Sequence, residues 1–481
     1  MRFMKKSLAL IMAAILTASF SGCRKNTSDT ESGSYYLVAQ SEANETTEGQ
    51  ISGGSDTAGS QTAGSQTVSG SGNVSGGSIV NQDLTKKYKN LNGRKITVVG
   101  WWDATQAGTE EDKLILEVEK LFNCDLVEKK LTDYAPLYTS ILAGNPICDL
   151  FVPRDTSVLN MANKNMLIAL DSLSTFDAND PLWNPATTAE STLNGHVYGM
   201  TADTSLRDIL FYNKDMFNQN GWTDLYDLNQ QGALTWDALY NVMSKAAVVD
   251  AGGNVTRYGF APKFDFSALA SFMLNMNGVR VVSRQGDSNT LTNTLNTGAA
   301  TNTLNILQKW NSSKGQLYDT TAYGWADPLQ LFLDGKAAML MADKSQMDTL
   351  KSAGFNVGAV VFPHGPDTNT VAASYEPSSV VIPKGVKNAE DVALFWSVRE
   401  AYNKQNRKQS VYDTLSDPSV KATCDQLEQM LWNKQYVYDF ADNLDLDLEC
   451  YRKVAVGSQT PQEAIQSIQQ VINGKISDYW K

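Results

Sequence analysis

Trp101, Trp102 and Asp103 are consecutive and close a run of strand-forming residues, Lys95-Ile96-Thr97-Val98-Val99-Gly100. Indole faces stack on the C–H faces of a sugar ring, and a carboxylate beside them accepts hydroxyl hydrogen bonds. Adjacent side chains of an extended segment point opposite ways, so one Trp is expected in an open site and the other in the core. Other chemistry is poorly provided for. Two histidines occur, His196 and His364, which argues against His-based zinc sites and Ser-His or Cys-His relays. No Gly-x-Ser-x-Gly, Walker or dinucleotide signature stands out. Asp442, Asp445, Asp447 and Glu449 cluster as calcium ligands do, yet lack the glycine and spacing of an EF-hand loop. They read as a solvated acidic face, with no metal implied. A hydrolase built on two distant carboxylates leaves no local pattern and stays open.

The elements that position these residues are legible. Lys95–Gly100 suits a strand buried on both faces. Glu111–Phe122 places Leu114, Val118, Leu121 and Phe122 on one helical face. Asp125–Val127 and Cys148–Val152 are short strand candidates with a helix around Tyr138–Ala143 between them, an alternation that implies a parallel α/β sheet. Thr235 is placed to cap a helix starting at Trp236, and Thr460-Pro461-Gln462-Glu463 is a capping box. Behind it Ile465, Ile468, Val471 and Ile472 form an apolar stripe, with Gly474 as a stop. Over 481 residues this suggests two or three domains. Lys and Arg total 40 against 52 Asp and Glu, a net charge of −12, which argues against a nucleic-acid partner.

The first residues read as a leader. Arg2, Lys5 and Lys6 precede the apolar run Leu8–Ala18, followed by Phe20-Ser21-Gly22-Cys23. A basic start, a short apolar run and small residues describe a secretory signal peptide, residues 1–22. The small pair ending on cysteine resembles the lipobox of bacterial lipoproteins, which implies lipid on Cys23 and anchorage at the outer face of the cell membrane. An ordinary leader cut elsewhere, or a short anchor, is the alternative. Residues 23–83 then read as a tether. Ser52–Ile79 contains 8 Gly, 8 Ser and 3 Thr in 28 residues, with no Lys or Arg, a composition that cannot bury enough apolar surface to fold. Such a chain spans roughly 30 Å.

Phe211-Tyr212-Asn213-Lys214-Asp215-Met216-Phe217, then Gly221 and Leu234-Thr235-Trp236-Asp237-Ala238-Leu239, resembles the signature of family 1 extracellular solute-binding proteins. These are receptors of ABC importers, the maltose and oligosaccharide receptors among them. Asp149–Val152, Leu167–Leu170, Phe332–Met339, Phe362-Pro363, Gly365-Pro366 and Ser379–Gly385 match in the expected order. The resemblance runs from about Lys95 to the C-terminus. It implies an α/β, two-lobed, type II periplasmic-binding-protein-like fold, with the ligand cleft between lobes joined by crossover segments. Lobe one would be 84–203 plus 343–384, and lobe two 204–342 plus 385–481.

The resemblance also implies where a solute would be touched. Trp101, Trp102 and Asp103 would face the cleft from the first strand. Arg154 and Asp155 follow the third, where sugar receptors of this family often place charged contacts. Asp203 and Arg207 bracket the first crossover, and Asp343 and Lys344 lie at the second, where many relatives have a Gly and a Trp. Trp325 would supply aromatic surface from lobe two, with Tyr375, Glu376 and Asp265 as further candidates. Cys124 and Cys148 sit too far apart for a disulfide, which leaves Cys424 and Cys450 as the pair to consider. The implied function is non-catalytic capture of a solute, a carbohydrate above all, by a monomeric lipoprotein without cofactor that delivers it to ABC importer permease subunits. A carbohydrate-active hydrolase and a sensory or adhesion lipoprotein on the same fold are the competing readings.

Overall fold

The computed structural model describes residues 88–100, 110–153, 158–203, 206–321, 327–375, 378–406, 415 and 417–481. Its principal elements in chain order begin with β1 (Arg94–Gly100), α1 (Glu110–Phe122), β2 (Cys124–Lys130) and β3 (Leu150–Phe151). There follow β4 (Ile209–Asn213), α2 (Trp236–Ala246), β5 (Val248–Val249), β6 (Val255–Ala261), α3 (Phe266–Met276), β7 (Val282–Arg284), β8 (Leu291–Asn293) and α4 (Thr297–Trp310). The last third holds β9 (Ala337–Ala342), β10 (Val357–Val360), β11 (Ala373–Ser374), α5 (Ala389–Asn406), α6 (Pro418–Trp432), β12 (Tyr436–Val437), α7 (Glu449–Ala455) and α8 (Pro461–Tyr479).

Two sheets organise the chain. The first has order β2-β1-β3 and is parallel throughout, as the β–α–β alternation predicts. Single antiparallel bridges, Phe151 to Val381 and Met200 to Val380, tie returning chain onto it. The second has order β10-β4-β9-β6-β5. There β9 runs parallel to β6 and antiparallel to β4, which also pairs antiparallel with β10.

Burial explains the strand sequences. In β4, Leu210 and Tyr212 face one core while Ile209 and Phe211 face another, so every residue is apolar or aromatic apart from its last. In β9, Met339 and Met341 join the first of these cores, and Leu340 and Ala342 the second. The third core lies on the first sheet, where α1 and α5 bring Phe122 and Phe395 edge to face at 5.4 Å.

The signature Phe211–Phe217 has structural work to do. The Asn213 side chain caps the helix Lys214–Asn220 through Met216 N–H, and Gly221 ends it at φ +64°, a backbone state that favours glycine. Lys214 bridges Asp224 at 3.3 Å and Asp417 at 2.9 Å. Tyr212 Oη donates to Asp224 Oδ1 at 2.6 Å, and its ring crosses directly over Gly358.

Several expectations need correction. The stretch 343–384 is not all in lobe one, because Val357–Val360 pairs with β4 in the second sheet. Residues 385–481 are not all in lobe two, because α5 packs on α1 and fills the core of the first sheet. Gly474 does not stop the last helix, which continues to Tyr479. Val471 is exposed, while Ile465, Ile468 and Ile472 are buried as expected. On α1 the fully buried residues are Ile115, Val118 and Phe122, with Leu114 only half-buried. Cys424 and Cys450 are not paired: all four described cysteines are free thiols. Cys424 lies on α6 and Cys450 on α7, and they pack into different cores. Burial pushes the thiols of Cys124, Cys148 and Cys424 up to about 12, which leaves them protonated and inert.

Candidate functional site

Strand register brings a set of charged residues together. Ala342 pairs with Ile209, Val360 with Leu210, and Leu340 with Ala261. The carboxyl ends of β6, β9 and β10 therefore lie at the same edge as the start of β4, the edge at which open α/β sheets bind ligands. Asp208 stands just before β4, Lys263 two residues after β6, and Asp343 just after β9.

These three form a compact ionic cluster. Lys263 Nζ lies 2.8 Å from Asp208 Oδ1 and 2.5 Å from Asp343 Oδ1. Asp208 N–H donates to Asp343 Oδ1 at 3.0 Å, and Lys344 N–H donates to the Leu206 carbonyl at 3.0 Å. Asp208 and Asp343 are buried, so their charges depend on the lysine. Asp208 also adopts φ +54°, a left-handed conformation that costs energy in a residue with a side chain. The first crossover is thus fastened to the end of β9.

The sequence-based candidates fall into three groups. Trp101, Trp102, Asp103, Arg154, Asp155, Trp325, Glu376 and the lipidation candidate Cys23 lie outside the described residues. Asp203, Arg207, Asp343 and Lys344 do gather around the first crossover. Lys344 Nζ lies 4.0 Å from Asp203 and 3.7 Å from Glu428 on α6, and Asp343 is taken by Lys263. The structure thus gives Asp203, Asp343 and Lys344 internal ion pairs beside the crossovers. Tyr375 and Asp265 are corrections. Tyr375 is buried, with its hydroxyl 2.6 Å from Thr187 Oγ1 and its ring against Tyr436, so it presents no surface to a solute. The Asp265 side chain caps α3 through Ala268 N–H at 2.9 Å.

A second group was missed. Asp439 is buried and accepts from three backbone N–H groups, those of Val281, Val282 and Ala441. Burial nevertheless pushes its carboxyl upward. Asp442 was read as part of a solvated face. It is exposed as expected, and the protein around it, with Asp439 nearby, pushes its carboxyl up to about 7. Arg207 and Arg280 oppose the shift, and Asp208 adds to it. Asp439, Asp442 and Asp445 line a cavity of about 210 Å³ with Ser271 and Asn275 of α3 and Tyr451 of α7. A larger cavity of about 540 Å³ opens between Ala189–Thr192 and Arg280–Asp287. Asp442, Asp445, Asp447 and Glu449 are all exposed, as expected of the acidic run. No group of His, Cys, Asp and Glu among the described residues is arranged to hold a metal ion.

Two α/β lobes joined by crossovers, with charged residues at the strand ends beside them, define a ligand-capturing receptor. Residues 127–434 match the family model for bacterial extracellular solute-binding proteins, and the chain belongs to that family. The fold is the two-lobed one of its structural neighbours. An ABC substrate-binding protein from Listeria monocytogenes in complex with cycloalternan is 19% identical, with 80% of this chain and 99% of that chain covered at a TM-score of 0.60. A cyclo/maltodextrin-binding protein complexed with maltotetraose is 18% identical over 80% of this chain and 98% of that one, at 0.59. An ABC transporter solute-binding protein from Agrobacterium radiobacter K84 in complex with ribitol is 18% identical over 80% and 99%, at 0.55. Comparison with curated protein sequences gives no significant match. Among the described residues no helix is long and apolar enough to cross a membrane.

Proposed function

We propose that this solute-binding protein captures a carbohydrate between its lobes and hands it to the permease of an ABC importer. The observation that carries this reading is the family membership over residues 127–434, joined to a fold shared with saccharide- and polyol-bound receptors. The charged edge of the second sheet supports it: Lys263, Asp208 and Asp343 hold the first crossover where hinge rotation must occur. The receptor is non-catalytic and monomeric. Lobe one comprises the first sheet with α5, and lobe two the second sheet with α2, α3, α4 and α6. Residues 1–22 direct export and Cys23 carries the lipid, with 23–83 as a tether to the lobes. Trp101, Trp102, Asp103, Arg154, Asp155, Trp325 and Glu376 are its solute contacts.

A thermal-shift screen against mono-, di- and oligosaccharides tests the reading, because a ligand that binds only the native state raises the melting temperature. Alanine in place of the cleft-facing member of Trp101 and Trp102 is expected to weaken binding by about 1–3 kcal/mol. Failure of every saccharide to shift the melt overturns the carbohydrate assignment. Cys23→Ala is expected to abolish acylation, and membrane retention of that variant sinks the anchor.

A further inference from the structure

The hairpin β7–β8 reaches from one lobe to the other. Its base is held in lobe two: Val282 packs with α3, α4 and the second sheet, and Asn293 Nδ2 donates to Asn473 Oδ1 of α8 at 3.1 Å. Its tip meets a second hairpin, Thr192–Leu193 paired with His196–Val197. That one stands on lobe one, since Val197 fills the core of the first sheet and His196 Nδ1 lies 2.9 Å from Asp171.

Hydrogen bonds join the two. Asn194-Gly195 is a two-residue turn with φ +50° and +84°, and the amides of such a turn have no strand partner. Asn194 N–H donates to the Asp287 carbonyl at 2.8 Å, and Gly195 N–H to Asp287 Oδ2 at 2.6 Å. Arg284 Nη1 donates to the Thr192 carbonyl at 2.8 Å, and Nη2 to that of Ala189 at 3.4 Å. The Arg284 side chain is 7% exposed, and the carboxylate facing it is Glu190 of lobe one, 3.9 Å away. Glu190 in turn accepts from Tyr436 Oη at 2.6 Å. Beside these bonds the cavity of about 540 Å³ separates Ala189–Thr192 from Arg280–Asp287. A permanent interface is close-packed and apolar. This one is polar, bonded at the tip and open alongside, which is the character of surfaces that part.

We propose that the β7–β8 hairpin is a latch that holds the two lobes together in the unliganded chain through Arg284 and Asp287. The inference rests on the lobe division given above and concerns closure, not the ligand. Rotation about the crossovers strips Arg284 of two carbonyls and Asp287 of two amides, and bonds to charged groups are the stronger kind. The latch thereby sets how much of the unliganded population is open to an entering solute.

Hydrogen exchange and small-angle scattering on the unliganded full chain test this, with Arg284→Met, Asp287→Ala and a control, Ser283→Ala, which removes a bond to Thr294 inside the hairpin. Both latch variants are expected to raise the radius of gyration above the parent's. They are also expected to speed amide exchange in Thr192–Val197 about tenfold, the factor that one charge-assisted hydrogen bond supplies. The control is expected to match the parent in both. Melts followed by circular dichroism establish folding, and Asp287 is exposed, so its variant decides the matter if Arg284→Met unfolds. An unchanged radius overturns the latch, whether or not the amides exchange faster, and so does a control that opens as far. No sugar enters the experiment, so its failure leaves the carbohydrate reading untouched.

Discussion

Lys263 is a single cation between two buried carboxylates. Removing it leaves Asp208 and Asp343 facing each other without compensation. Lys263→Met is therefore expected to destabilise the fold by about 3–5 kcal/mol, read from denaturant titration; a loss under about 1 kcal/mol shows that water already screens the pair. Asp442 behaves differently because it has no dedicated partner. Although it is exposed, the protein around it and Asp439 push its carboxyl up from the usual 3.8 to about 7. Between those values the folded chain binds more protons, so this residue's contribution falls as pH rises through 7. Asp442→Asn removes the penalty. Its melting temperature is expected to exceed the parent's at about pH 8, with the gap closing toward about pH 4; a gap that does not change with pH refutes the assignment.

At the scale of elements, two close fits deserve testing because each explains a sequence feature. A Cβ on Gly358 would lie 2.4 Å from Tyr212 Cζ, and the Tyr212 hydroxyl is tied to Asp224, so the ring cannot yield. Gly358→Ala is expected to cost about 1–3 kcal/mol, measured by chemical denaturation, as overpacked cores do. At the other end of the chain, Thr460 Oγ1 accepts from Glu463 N–H at 3.3 Å while the Glu463 carboxylate accepts from Thr460 N–H at 3.0 Å. Thr460→Ala is expected to cost about 1 kcal/mol. Both ends of α8 are anchored. Asn160 and Asn163 donate to the carbonyls of Tyr479 and Trp480 at 2.7 and 3.2 Å, and that docking carries the helix past Gly474, whose backbone flexibility alone does not end it.

For the whole molecule, the crossovers matter most. The chain passes between sheets near Thr201–Asp208, again between β10 and the Val380–Val381 bridges, and again between α5 and α6. Three passages allow the lobes to rotate while each keeps its own sheet intact. Small-angle scattering is expected to show a smaller radius of gyration when a bound saccharide is added, and an unchanged radius argues against closure. The chain from Leu84 to Lys481 is expected to melt cooperatively and bind as the longer form does; loss of either property would make the tether structural.

The local code was readable because it acts over a few residues. Capping at Thr235 and Thr460, the strand at 95–100 and the helix after it depend on side chains one turn or one pleat apart. The order of the motifs around Phe211–Asp215 and Trp236 pointed to the family for the same reason: each stabilises a helix start or a buried strand. Long-range partners were not readable. Nothing in the composition of Val357–Val360 says that it pairs with β4 rather than the first sheet, and nothing in α5 says that Phe395 meets Phe122. The same holds for charge. Asp442 is exposed with the rest of its acidic run, and only the fold brings the charges of Asp439, Arg207 and Arg280 to bear on it. Lys263 reads as an ordinary surface lysine until β4, β6 and β9 converge on it. Sequence specifies which segments can form elements, since that depends on neighbouring residues. Tertiary structure decides which charges meet, because burial and field come from residues distant in the chain.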